Sequence, residues 1–260
     1  ILNKISENKI FKLSPIVLLH IGAKGSDFKE WKNIAKVSIL LAVDANKQKI
    51  KNYKFLKVMN FDKIISNKRG KYDFNITKSE DCSSLLEPNY KTHSKWIISE
   101  RFKIKKKLKV KTITVNDLLK KTGVNYIDWI VLDTQGMDLK ILKSLNRNTI
   151  NNLSIANIEP SFFEFYKNET SFVDVFKFME KRFQVGEITF GKSFNVSKKS
   201  FSKLDEIILK KYNKSSKIYS NIIFLNKNLA NERKILIRAI YLILNKKYYE
   251  AREILSASNV

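Results

Sequence analysis

The sequence predicts a doubly wound α/β domain with a helical pair at its C-terminal end. Three observations carry this. Short apolar runs rich in β-branched residues recur at Ile16–Ile21, Ile39–Val43, Ile127–Leu132 and Ser154–Ile158, and each ends at a glycine or an acid. Runs of this length fit strands buried on both faces, the kind found in a mostly parallel sheet. Helical spacing follows several of them, and after Asn228 it takes over entirely.

The clearest unit is IDWIVLDTQGMDLKILKSL, from Ile127 to Leu145. Ile127, Trp129, Ile130, Val131 and Leu132 read as a strand that stops at Asp133. Met137, Ile141, Leu142 and Leu145 then recur at helical spacing. Ligands of open α/β sheets sit at the carboxyl ends of the strands. Asp133, Gln135 and Asp138 are therefore candidate site residues.

Composition narrows the partners. The chain has 260 residues, 43% of them hydrophobic, and three prolines, which describes a globular chain with a core of its own. Its single cysteine, Cys82, excludes an intramolecular disulfide framework and suits a reducing compartment, so a cytoplasmic location is expected. The sequence begins at Ile1, shows no signal-peptide pattern, and has no apolar run long enough to span a bilayer. The net charge of +25 would suit nucleic acid or an anionic surface. Of the 50 basic residues, however, 43 are lysines and 7 are arginines, spread along the whole chain. Arginine is the residue of bidentate phosphate recognition, so the charge reads as lysine on every solvated face. The densest cluster, Lys103 to Lys111, alternates with Ile104, Leu108 and Val110 and is expected to form a basic surface near the site.

Taken in order, residues 1–14 read as a lead-in helix or arm. The strand Ile16–Ile21 (IVLLHI) runs into Gly22-Ala23-Lys24-Gly25, where glycines permit close backbone approach to a ligand. A helix from about Asp27 to Ala35, capped by Ser26 or Asp27, is expected next. Ile39–Val43 ends in Asp44-Ala45-Asn46. Asp44 follows Gly22 by about 20 residues, the spacing of a ribose-binding acid. It would serve equally as the N-cap of a lysine-rich helix. Phe61–Ser66 suggests a strand, Asn67–Gly70 a turn, and Lys71–Thr77 a second strand. Ser79–Asn89 reads as a loop with Ser83 and Ser84 as ligand-facing candidates. Val110–Thr114 is a short strand, with Asn116 capping or preceding a helix that Gly123 closes. Ser154–Ile158 delivers a second strand-end acid, Glu159, beside the aromatic group Phe162, Phe163, Phe165 and Tyr166. A helix over Phe172–Arg182 and two last strands, Phe183–Phe190 and Ile218–Leu225, complete the sheet. Gly191–Lys217 is expected to be a mobile flap with a short helix at Leu204–Leu209. Residues 228–260 read as two helices and a tight turn, packed on the domain or used for self-association.

Four stretches resemble the FkbM family of S-adenosylmethionine-dependent methyltransferases. They are LLHIGAKGS, LAVDANK, ITKSEDCSSLLEPN and TVNDLLKKTGVNYIDWIVLDTQGMDLKIL; NIEPSFFEFYKNETSFVDVFKFME and SNIIFLNK extend the likeness. It covers roughly Pro15 to Lys227, with Asp133-Thr-Gln-Gly its most specific signature. The resemblance implies a Rossmann-like class I methyltransferase sheet over 15–227, between an arm (1–14) and a helical hairpin (228–260). It also implies S-adenosylmethionine as cofactor and S-adenosylhomocysteine as product, with O-methylation of a sugar, glycan or secondary metabolite. Carried over by residue, Gly22, Ala23 and Gly25 would meet the cofactor's amino-acid end, and Asp44 with Ala45 its ribose. Ser66, Ser83 and Ser84 would lie near its adenosine, and Asp133 and Gln135 where donor and acceptor meet. His20 stands where the family usually carries an acid, and Asn116 replaces another.

The implied reaction is displacement of a sulfonium methyl by an acceptor oxygen, in which alignment does most of the work. Candidate general bases are Asp133, then Glu159, then His93. Two histidines and one cysteine make a metal site unlikely. Three rival readings stand beside this one. A dinucleotide oxidoreductase lacks its full glycine fingerprint here. An RNA-binding protein or RNA methyltransferase would use the charge and bind in a strongly salt-dependent way. A catalytically degenerate scaffold would explain His20.

Overall fold

The computed structural model describes residues 2–46, 49–51, 53–94, 96–193 and 216–258. Seven strands form one sheet: β1 (Ile16–Ile21), β2 (Ser38–Asp44), β3 (Lys57–Asp62), β7 (Trp129–Leu132), β8 (Ile155–Ile158), β9 (Phe183–Ser193) and β10 (Ser216–Asn226). Their spatial order is β3-β2-β1-β7-β8-β10-β9. β1, β2, β3, β7 and β8 pair in parallel; β10 runs antiparallel to both β8 and β9. The strand order reverses between β1 and β7, so a crevice opens at their carboxyl ends. This is the mixed, mostly parallel sheet of a Rossmann-like methyltransferase fold.

Both faces are covered, which is why the strands read as unbroken apolar runs. On one face Val17, Leu19 and Ile21 of β1 meet α4 (Val115–Thr122), α5 (Asp138–Lys143), α6 (Arg147–Asn152) and α7 (Phe172–Met179). On the other, Ile16 and Leu18 meet Phe28, Trp31 and the long C-terminal helix α8 (Glu232–Leu244). The short N-terminal helices α1 (Leu2–Ser6) and α2 (Lys9–Leu13) complete that layer through Ile5 and Phe11. Each large side chain buried this way contributes about 1.5–3 kcal/mol. The expected helical pair is present: α9 (Tyr248–Ala257) folds back on α8 after Asn245–Lys247.

Local chemistry fixes the element ends. Thr114 and Asp117 form a reciprocal cap at the start of α4, and Gly123 (φ 72°) ends it. Asn116 is not the cap. Its side chain bonds the Ser144 carbonyl at 3.0 Å and receives the Asn146 amide at 3.1 Å, tying α4 to the turn before α6.

Several expectations change. No α-helix follows β1; two 3-10 turns, Lys29–Trp31 and Ala35–Val37, replace it. Asp27 takes the Lys29 amide at 2.9 Å and Phe28 sits at φ 55°, which turns the chain inward to bury Phe28 and Trp31. Among the described residues no helix follows Asp44 before β3. The run Phe61–Ser66 divides between β3 and β4 (Ile64–Ile65), which belong to different sheets. β6 (Ile104–Ile113) begins well before Val110 and pairs antiparallel with β5 (Gly70–Thr77); with β4 they make a three-stranded sheet. Its outer side exposes Lys105, Lys107, Lys109 and Lys111. Of the expected flap, 191–193 and 216–217 extend β9 and β10; the helix at 204–209 lies outside the described residues.

Candidate active site

The crevice is built from backbone first. Gly22 follows β1 at φ 81° and its amide bonds Val43 O at 2.9 Å. A β-carbon there would lie 1.9 Å from the Asp133 carbonyl oxygen, so only glycine lets the β1 and β7 ends approach this closely. Asp44, at the end of β2, takes the Lys24 amide on Oδ2 (3.1 Å) and the Asn46 amide on Oδ1 (3.0 Å). Its carboxylate is thereby held at the rim with lone pairs still open.

Two cavities meet here. The larger, about 390 Å³, runs from Gly22, Lys24 and Asp44 to an apolar wall of Ile64, Ile65, Phe74, Leu108 and Val110. That wall is the inner face of the small sheet, whose outer face carries the lysines. The smaller, about 210 Å³, is lined by Arg101, Phe102, Glu159, Ser161, Phe165, Tyr166 and Tyr219, among others. Asp81, Asp133 and Gln135 line both.

The shared wall is over-determined. Gln135 (φ 54°) donates from Nε2 to Asp133 Oδ1 at 2.5 Å and accepts at Oε1 from the Tyr166 hydroxyl at 2.9 Å. Ser84 Oγ donates to the Gln135 carbonyl at 2.7 Å. Asp138, the first residue of α5, accepts the Thr134 amide at 3.0 Å and the Glu159 amide at 3.1 Å. It therefore locks the ends of β7 and β8 together. Burial pushes the Asp138 carboxyl up to about 7.

Asp133 and Glu159 are hydrogen-bonded to each other. Burial raises both carboxyls. Glu159 rises further, because Asp133, Asp138 and Asp81 surround it with negative charge. Glu159, pushed up to about 9, is the group of the pair that holds a proton at neutral pH. Two acids whose proton affinities are driven apart at a junction of two cavities are a general acid–base arrangement.

The sequence match supplies the family. The chain matches the methyltransferase FkbM domain over residues 20–185. It belongs to the FkbM methyltransferase family. No curated protein and no solved structure matches it. The match begins inside β1 and ends inside β9, so it spans the glycine turn, the larger cavity, the acid pair and all of the smaller cavity's lining except Ile218 and Tyr219.

Within the FkbM domain the residues singled out from the sequence fall into three groups. Gly22, Asp44, Ala45, Ser83, Asp133 and Gln135 line the larger cavity, and Glu159 the smaller. Ala23, Gly25, Ser66 and Ser84 line neither cavity. Ser66 is buried and bonds Asn67, while its neighbours Ile64 and Ile65 supply the wall. His20 and His93 line neither cavity. His20 packs against Phe28 and Trp31 and lies 3.5 Å from the Ser26 hydroxyl. His93 is buried among Tyr90, Phe102 and Phe165, with no partner on either ring nitrogen. Burial lowers both imidazoles to about 4, which keeps them neutral. Among the described residues no three His, Cys, Asp or Glu side chains gather as a metal site requires, and no helix is long and apolar enough to cross a membrane.

Sequence reasoning missed Lys24, Asp81, Arg101 and Tyr219 as wall residues. Asp81 and Arg101 form an ion pair, so neither reads alone as a ligand group. Tyr219 sits on β10, at the far end of the chain from the motifs that flagged the site.

Proposed function

We propose that this FkbM domain moves the methyl group of S-adenosylmethionine to a hydroxyl of a sugar, glycan or secondary metabolite. One observation carries the reading: Asp133, on the wall shared by the two cavities, is partnered by Glu159 in the smaller, aromatic-lined one. The residues of the larger cavity fit the cofactor. Gly22 leaves the backbone bare at the β1 end, and Asp44 offers two oxygens to ribose hydroxyls. The apolar inner face of the small sheet suits a purine ring. When bound, the cofactor supplies a sulfonium methyl open to displacement by an oxygen.

The protein's part is to place and deprotonate that oxygen. Tyr166 and Ser84 fix Gln135, and Gln135 fixes Asp133. Glu159 keeps its own proton, and Asp133 would take the hydroxyl proton as the new C–O bond forms and the methyl–sulfur bond breaks. Phe165, Tyr166 and Tyr219 give the smaller cavity an aromatic lining, which suits the apolar side of a sugar ring.

The test is transfer of labelled methyl from S-adenosylmethionine to a panel of carbohydrates and small hydroxyl compounds. The expected product is a methyl ether, and Asp133→Ala should abolish it while S-adenosylhomocysteine still binds. Undiminished turnover by Asp133→Ala would remove Asp133 as the base. Methylation of RNA alone, with no hydroxyl compound accepted, would replace the acceptor class.

A further inference from the structure

Two ion pairs close the crevice, and both end on one short turn, Glu80–Cys82. Lys24 of the glycine loop reaches Glu80, and Arg101 reaches Asp81. Lys24 and Glu80 both line the larger cavity. Its other charged wall groups are already committed. Asp44 is assigned to the ribose, Asp133 belongs to the acid pair, Asp81 is held by Arg101 and Ser79, and Lys63 faces Asp62, which does not line the cavity. Lys24 and Glu80 remain as one cation and one anion side by side.

The amino-acid end of an S-adenosyl compound is a zwitterion, with an ammonium and a carboxylate on one carbon. It needs an anion and a cation at neighbouring positions. We infer that Glu80 and Lys24 grip this end, Glu80 at the ammonium and Lys24 at the carboxylate, by exchanging their mutual contact for the ligand's opposite charges. This rests on the donor reading given above.

Three features favour the exchange. The pair is half open to solvent, with side chains 41% and 59% exposed, and such pairs hold their partners weakly. The two charges come from separate segments joined across the cavity, so the pair can part without breaking either segment's own backbone bonds. Lys24 is two residues from Gly22 and Glu80 is next to Asp81, and all four line the larger cavity, so both charges stand at its wall. His20 offers no substitute: burial keeps it neutral, and it lines neither cavity.

The experiment compares two ligands by calorimetry on the full chain. S-adenosylhomocysteine carries the zwitterion; 5′-methylthioadenosine keeps the nucleoside and thioether and lacks it. Lys24→Ala and Glu80→Gln are each expected to weaken S-adenosylhomocysteine about ten-fold, the size of one charge-assisted contact. Each should leave 5′-methylthioadenosine within about two-fold. Circular dichroism confirms that both variants fold, and both substitutions sit on partly exposed side chains. Equal loss for the two ligands would make the pair a mere latch on the cavity and overturn the assignment, as would no loss for either. Failure of the parent chain to bind both ligands would overturn the donor reading and this assignment with it.

Discussion

Strand β7 is flanked by two aspartates, the buried Asp128 before it and the half-buried Asp133 after it, and the protein accommodates them by opposite means. Asp128 meets a cation. Arg233 of α8 donates Nε and Nη2 to its two oxygens at 2.8 and 2.6 Å, and the Val17 amide adds a third bond at 2.8 Å. The same guanidinium reaches the Ser14 and Pro15 carbonyls, so one ion pair ties β1, β7, the N-terminal segment and the C-terminal helix. Asp133 meets another acid and an amide, in the wall of two cavities. A buried charge paired with a cation locks structure, though breaking it is costly. A buried charge paired with an acid stores proton affinity, which costs stability and supplies chemistry. The two ends of the sheet divide these tasks.

The sharpest way to break this comparison is to neutralise each aspartate in turn. Asp133→Asn should lower methyl transfer by roughly 10²–10⁴-fold, the usual worth of a positioned base. Its urea midpoint should hold or rise, because it removes a carboxyl whose charged form burial penalises. Asp128→Asn should do the reverse: it leaves Arg233 buried without its anion, a loss of about 3–5 kcal/mol in urea unfolding, with S-adenosylhomocysteine affinity of the folded protein unchanged. If Asp133→Asn also unfolds the chain, the division between the two ends is wrong.

The pH dependence sharpens it further. The folded Asp138 carboxyl sits at about 7 against 3.8 for the free group. The folded state holds the proton more tightly, so this group's contribution is fully present below the unfolded value and is lost as pH rises through 7. Unfolding of the parent and of Asp138→Asn should therefore differ between pH 5 and pH 8, the parent losing roughly 2–4 kcal/mol more over that interval. Equal slopes would mean Asp138 is not the proton-holding group. The smallest effect is expected at Asn116. Removing its bond to the Ser144 carbonyl by Asn116→Ala should cost about 1 kcal/mol and leave ligand affinity and turnover unchanged.

The legible parts of the site were those where one residue type answers one backbone demand. Gly22 at a positive φ, Asp44 at a strand end and Asp133 before a glycine each leave a mark in sequence. The helix predicted after β1 failed because helical propensity was read without the burial of Phe28 and Trp31, which bends the connection into two 3-10 turns. Asn116 resembled a cap, but Thr114 and Asp117 form a better one two positions around it. His93 looked like a base because histidine titrates near neutrality; an apolar cage of rings removes that property. The acceptor wall was illegible for a different reason. Arg101, Phe165 and Tyr219 come from three distant segments, and only the fold brings them to one cavity.

The central claim is that the crevice between β1 and β7 holds an S-adenosyl cofactor beside the Asp133–Glu159 pair. Calorimetric titration of the folded protein with S-adenosylhomocysteine tests it most directly. The account predicts binding in the micromolar range that Asp44→Ala weakens at least ten-fold, the loss expected for a charged hydrogen-bond partner of the ribose, and that Asn116→Ala leaves intact. A folded chain that does not bind S-adenosylhomocysteine, or one whose binding ignores Asp44→Ala, would contradict it.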